Sequence, residues 1–135
     1  TALAGIERTP DRAVDGTSFV EVFTGKTIRR VTPLYWHYYN ALGAPKAAMR
    51  AGDWMVLGSW GQTDQRGGGF FRESDQKLVK TMELKHFELY NLKRDRDQKK
   101  NLAETEPARL KELSVQLVRK YREVQAEGPE WKFGK

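Results

Sequence analysis

Between Thr32 and Asn40 the chain reads TPLYWHYYN, and this run constrains the fold more than any other. Its aromatic density and its turn signal at Asn40 predict a β-strand. Side chains on a strand alternate between faces, so Leu34, Trp36 and Tyr38 fall on one side and Tyr35, His37 and Tyr39 on the other. The segment Trp54 to Trp60 repeats the pattern, with Trp54, Val56 and Trp60 opposite Met55 and Leu57. A sheet made of such strands is apolar on both faces and needs cover on both.

The remaining elements follow from local signals. Lys46 to Arg50 reads as a second strand, joined to Trp54–Trp60 by a tight turn at Ala51-Gly52-Asp53. Leu84 to Leu92 reads as a fourth strand. Gly61 to Gln76, polar and carrying Gly67, Gly68 and Gly69, is expected to be a long loop. Lys93 to Leu102 is a charged loop. Leu110, Leu113, Leu117, Val118, Tyr121 and Val124 recur at helical spacing, which predicts a helix capped by Thr105, with Pro107 in its first turn and Gly128-Pro129 at its end. Thr1 to Ile6 reads as the last turn of a helix whose beginning is missing, capped at Gly5, as expected of a fragment; residues 7–16 read as loop and Thr17 to Val22 as a short strand or helical turn. The expectation is an α+β fold: a four-stranded antiparallel sheet with one long C-terminal helix packed on one face, preceded by an irregular linker. Residues 1–30 form the tail and linker, and 31–135 the compact part. There is no internal repeat.

A helix is about 10 Å across, whereas four strands span about 20 Å. One helix covers at most one face, so the other face is expected to meet a partner outside this sequence, the plainer alternative being that residues 1–30 fold back over it. Composition narrows the chemistry. The 135 residues contain no cysteine and two histidines, so disulfides, thiol nucleophiles and sites of three histidines are excluded. The net charge is +6, of which residues 1–67 contribute +2 from 8 basic and 6 acidic side chains. The charge is too spread for a nucleic-acid footprint, and no nucleic-acid partner is expected. No apolar run of about 18 residues exists to span a bilayer, and no secretion signal is visible.

In order along the chain stand DGTSF (Asp15–Phe19), TPLYWHYYNA (Thr32–Ala41), AMRAGDWMVL (Ala48–Leu57), FELYNL (Phe87–Leu92) and KNLAETEP (Lys100–Pro107), followed by the final helix. This series resembles the C-terminal part of the formylglycine-dependent sulfatases, in particular bacterial arylsulfatase A-like and N-acetylgalactosamine-6-sulfatase-like enzymes. The resemblance covers almost the whole chain. It implies a small subdomain, four antiparallel strands and a terminal helix, packed on a large catalytic domain. It also implies a periplasmic or secreted location, a sulfated saccharide substrate, and a parent enzyme that hydrolyses sulfate monoesters using calcium and a formylglycine. Two positions depart from the family: Asp95-Arg96-Asp97-Gln98 replaces Asp-Pro-x-Glu, and Met55 replaces a common lysine.

The nucleophile's Cys-x-Pro-x-Arg motif is absent from this segment, and no loop gathers the six to eight oxygens calcium requires. No catalytic residue, cofactor or metal ligand is therefore expected here, and the segment alone is expected to be inactive. Its candidate substrate contacts are His37, Asn40 and Lys46. A neutral His37 imidazole suits a sugar hydroxyl, and Lys46 suits a sulfate as a point charge. Their plainer readings are an interface histidine and a solvated turn lysine. Trp36 and Tyr38 read as a stacking platform or as buried aromatics. The basic run Lys93, Arg94, Arg96, Lys99 and Lys100 reads as a solvated face. The alternative function is a free-standing module binding an anionic glycan or nucleic acid. A third reading is a structural protein that dimerises through the aromatic face.

Overall fold

The computed structural model describes residues 2–6, 11, 14–28, 30–41, 45–61 and 71–132. The expected loop at 7–16 and turn after Asn40 lie partly outside these residues, and the triple glycine lies wholly outside them. The described elements are 3-10 turns at Ala2–Ala4 and Val20–Thr24, strands β1 (Leu34–His37), β2 (Pro45–Ala51), β3 (Trp54–Ser59) and β4 (His86–Asn91), and helices α1 (Glu73–Thr81) and α2 (Pro107–Glu127). The chain divides into two units, Thr1–Leu34 and Tyr35–Lys135.

In the first unit no described residue is buried. Its order comes from local hydrogen bonds. Gly25, at φ 77, lets its N–H return to the Val22 carbonyl at 3.0 Å and closes the turn Val20–Thr24. Arg30 Nη2 donates to the Asp15 carbonyl at 2.9 Å. Phe19, Phe23 and Val31 are exposed. Among its described residues the unit forms no core.

The second unit is built on the expected sheet, with strands in the order β1-β2-β3-β4. Each strand lies beside its neighbour in sequence; β2 and β3 join through a two-residue turn, whereas the β3–β4 connection, residues 60–85, carries α1. The pairs Ala47↔Gly58, Met49↔Val56 and Ala51↔Trp54, then Val56↔Leu89 and Gly58↔Phe87, bring one apolar set to a single face. Gly52, at φ 60, takes the first position of the two-residue β2–β3 turn, a conformation side chains resist. Along α2, Leu113, Leu117 and Tyr121 recur every four residues and are the buried ones. They close over Ala47, Met49, Val56, Trp60, Leu84 and Leu89 to make the core. At Gly58 a β-carbon would stand 2.9 Å from Leu84 Cδ1 and 3.2 Å from Leu117 Cδ2. Glycine here lets the helix and Leu84 approach the strand.

The opposite face carries Trp36 and Tyr38, 48% and 63% exposed, on the edge strand. Exposure is not uniform across that face. Met55 and Leu57 are half-buried, and Tyr90 is buried with its hydroxyl donating to Glu88 Oε2 at 2.7 Å.

Three local expectations need correction. The loop expected through Gln76 gives way to α1 at Glu73. Asp75 supplies the start signal, its carboxylate accepting the Arg72 backbone N–H at 2.9 Å, which is half of a capping box. The N-cap of α2 is Glu106 rather than Thr105, whose hydroxyl instead donates to the Leu102 carbonyl at 3.3 Å. The helix ends where expected, but Gly128 sits at φ −59, ψ 138, the extended shape imposed on a residue before proline. Pro129, not glycine's freedom, stops it.

Candidate functional site

Alternation along β1 decides the surroundings of His37. Tyr35, His37 and Tyr39 turn toward α2, and Trp36 and Tyr38 turn away. The His37 ring stands 4.9 Å from the Tyr121 ring, tilted by 60°, and 6.5 Å from that of Tyr35. His37 Nε2 and the Tyr35 hydroxyl are both buried without a hydrogen-bond partner. Burial disfavours the charged form of each group. It lowers the His37 pKa below its ordinary value, and it raises that of Tyr35, with the Tyr121 hydroxyl adding to the rise. His37 is therefore a neutral imidazole at pH 7, seated under the helix and not on the open face.

Lys46 is also inside. A β-bulge between Pro45 and Ala47 inserts it as an extra residue against β3. Both Lys46 and Ala47 are then buried, at 2% and 3% exposure, where a regular strand would send them to opposite faces. The Lys46 ammonium donates to the Ala41 carbonyl at 2.9 Å and lies 5.8 Å from the Trp60 ring. The solvated-turn reading of this lysine is overturned. Its bond to Ala41 holds the turn that carries Asn40, which is half-buried. Of the three candidates, Lys46 and Asn40 thus share the end of β1, while His37 belongs to the aromatic set beneath α2.

The basic run is an exposed, hydrogen-bonded turn. The Asp95 carboxylate accepts the backbone N–H groups of Lys99 at 3.1 Å and Lys100 at 2.8 Å. These bonds hold its pKa below the usual value. The Asp95-Arg96-Asp97-Gln98 sequence therefore closes a turn. Lys99 pairs with Asp97 at 2.9 Å in the open.

A cavity of about 310 Å³ lies between β1, α1 and the end of α2. Tyr39, Phe71 and Trp131 form its aromatic wall. Tyr39 and Phe71 meet edge to face at 5.4 Å and 87°, and Phe71 and Trp131 at 5.5 Å and 70°. Val79 and Val124 complete the apolar lining, and the rim residue Trp131 is 57% exposed. The polar groups around it lace the two helices together. Lys80 Nζ donates to the carbonyls of Gly128 and, at 2.6 Å, Gln125. Gln125 Nε2 donates to Val79 and Met82 carbonyls at 2.8 and 2.9 Å. Gln76 Oε1 accepts the Trp131 N–H at 2.6 Å.

Sequence reasoning missed this cavity because it missed α1. The available signal was Leu78, Val79 and Met82 at helical spacing behind Asp75. Among the described residues, no group of three histidine, aspartate or glutamate side chains is placed to hold a metal. No described helix is long and apolar enough to cross a membrane. No known family profile matches the chain, and no curated protein matches it.

Proposed function

We propose that this chain is the C-terminal subdomain of a formylglycine-dependent sulfatase. On this reading it hydrolyses sulfate monoesters, of a sulfated saccharide, only as part of its parent enzyme, and its own task is to seat on the catalytic domain and shape the substrate cleft. The ordered series from DGTSF to KNLAETEP supports it. The observation that carries it furthest is the unequal cover of the sheet. Helix α2 fills one face, while Trp36 and Tyr38 stand exposed on the other. Burying the exposed half of each aromatic side chain is worth about 1 kcal/mol, so a partner surface there is favoured. The first unit, in which no described residue is buried and Phe19 and Phe23 are exposed, agrees with a tail that belongs against other structure. Calcium, formylglycine and an extracytoplasmic location belong to the parent on this reading.

The test is the coding sequence upstream of Thr1. The expected result is an open frame that encodes a Cys-x-Pro-x-Arg motif and early paired aspartates. An in-frame stop or an unrelated domain there would overturn the reading. The purified 135-residue chain is expected to release no phenol from 4-nitrophenyl sulfate.

A further inference from the structure

We infer that the cavity between β1, α1 and the end of α2 is a binding site for a small neutral aromatic molecule of one or two rings. The inference does not depend on the sulfatase reading.

Size comes first. An engineered protein cavity of roughly 150 Å³ holds benzene, and ligand pockets begin at roughly 300 Å³. The volume here, about 310 Å³, leaves room for a fused pair of rings and little more. The walls then select shape. Tyr39, Phe71 and Trp131 form a row of edge-to-face contacts, and another ring extends such a row favourably.

Charge selection follows from what the polar groups already do. No described lining residue is acidic and the Lys80 ammonium stands on the lining, so a cation meets like charge against the attraction of the aromatic faces. Lys80 spends two of its three N–H donors on the Gln125 and Gly128 carbonyls, and drawing it toward an anion would uncap the end of α2. Gln125 Nε2 and Gln76 Oε1 are committed to backbone partners. His37 is held neutral by its burial. A charged guest would lose its hydration without adequate replacement, whereas a neutral ring loses little. These same bonds hold the walls in place before any guest arrives, which lowers the ordering cost of binding.

The experiment is calorimetric titration of the full chain with indole, beside amide chemical-shift mapping. Saturable binding is expected, with the largest shifts at Phe71, Val79, Val124 and Trp131. Indole-3-acetate is expected to bind more weakly. Val79→Trp, which fills the space, is expected to weaken indole at least ~10-fold, the equivalent of about 1.4 kcal/mol. Val124→Phe repeats the block from the other helix, in case the first variant misfolds. Absence of saturable binding would overturn the proposal. So would tighter binding of the anion, or shifts centred on Trp36 and Tyr38.

Discussion

The Trp60 indole N–H donates to the Tyr121 hydroxyl across 2.8 Å, joining residues 61 positions apart inside the core. Both side chains are almost fully buried, at 3% and 1% exposure. The bond fixes the rotation of α2 over the sheet, because a polar atom that deep has no water to replace its partner. Tyr121→Phe removes the acceptor and leaves the indole N–H orphaned. The expected cost is about 1–3 kcal/mol, read as a lower urea midpoint at unchanged slope.

Tyr35→Phe is expected to behave in the opposite way. The Tyr35 hydroxyl is buried with no partner, so its removal relieves a desolvation penalty without breaking a bond. The variant should match or exceed the wild type in urea midpoint. A loss of 1 kcal/mol or more, at roughly the size of an average hydrogen bond, would mean that the hydroxyl is satisfied in solution.

Acid should act through His37. Its folded pKa is lowered by burial, while the unfolded chain titrates at about 6.5. Below that pH the unfolded state takes up a proton that the folded state refuses. The stability is therefore complete above about pH 6.5 and falls as the pH drops from there toward the folded pKa. The difference in urea midpoint between pH 7.5 and pH 5.5 should be larger for the wild type than for His37→Phe. Asp95 acts in a lower window. Its folded pKa is also depressed, so its contribution is present above the unfolded carboxylate value of about 3.9 and is lost as pH falls through the folded one.

Gly58→Ala tests the closest approach of helix to sheet. The new methyl would contact Leu84 Cδ1 at 2.9 Å and Leu117 Cδ2 at 3.2 Å. Both are ends of flexible side chains, so the expected cost is about 1–2 kcal/mol. The double variant with Leu84→Val should recover part of it, since the two sites share one space. Additive losses in thermal melts would refute this account.

Trp36→Ser combined with Tyr38→Ser tests the exposed face. Neither side chain belongs to the core cluster, so thermal stability should change by no more than about 0.5 kcal/mol per site. Binding of a hydrophobic dye should fall. If the proposed function is right, the same changes in the parent enzyme should weaken its expression or stability far more than in this chain.

The strands and α2 were legible from different signals: aromatic density and a closing turn in TPLYWHYYN, and three- and four-residue apolar spacing from Leu110 to Val124. The α1 helix was not, because polar residues and a glycine run precede it, and its apolar face is only Leu78, Val79 and Met82 wide. The two faces of β1 could be sorted by alternation, but which face receives α2 depends on packing between distant elements. Lys46 shows a different limit. Its burial follows from a bulge, and a bulge is a property of pairing between β2 and β3 that neither strand displays alone. Likewise Glu106 caps α2 by position, without a side-chain bond, although Thr105 carries the better capping group.

The bonds of Lys80 and Gln125 run in opposite directions between the same two helix ends. Lys80, on α1, serves carbonyls at the end of α2, and Gln125, on α2, serves carbonyls at the end of α1. Each helix thus finishes the other. Neither can fray by itself, because the first to unwind strands the terminal acceptors of both. The two ends should open as one event, with amides near Met82 and Gly128 exchanging at a common rate, and the aromatic wall should come apart in the same step. Nine residues of α1, too few to persist alone, are held as helix by the last turn of a helix more than forty positions downstream.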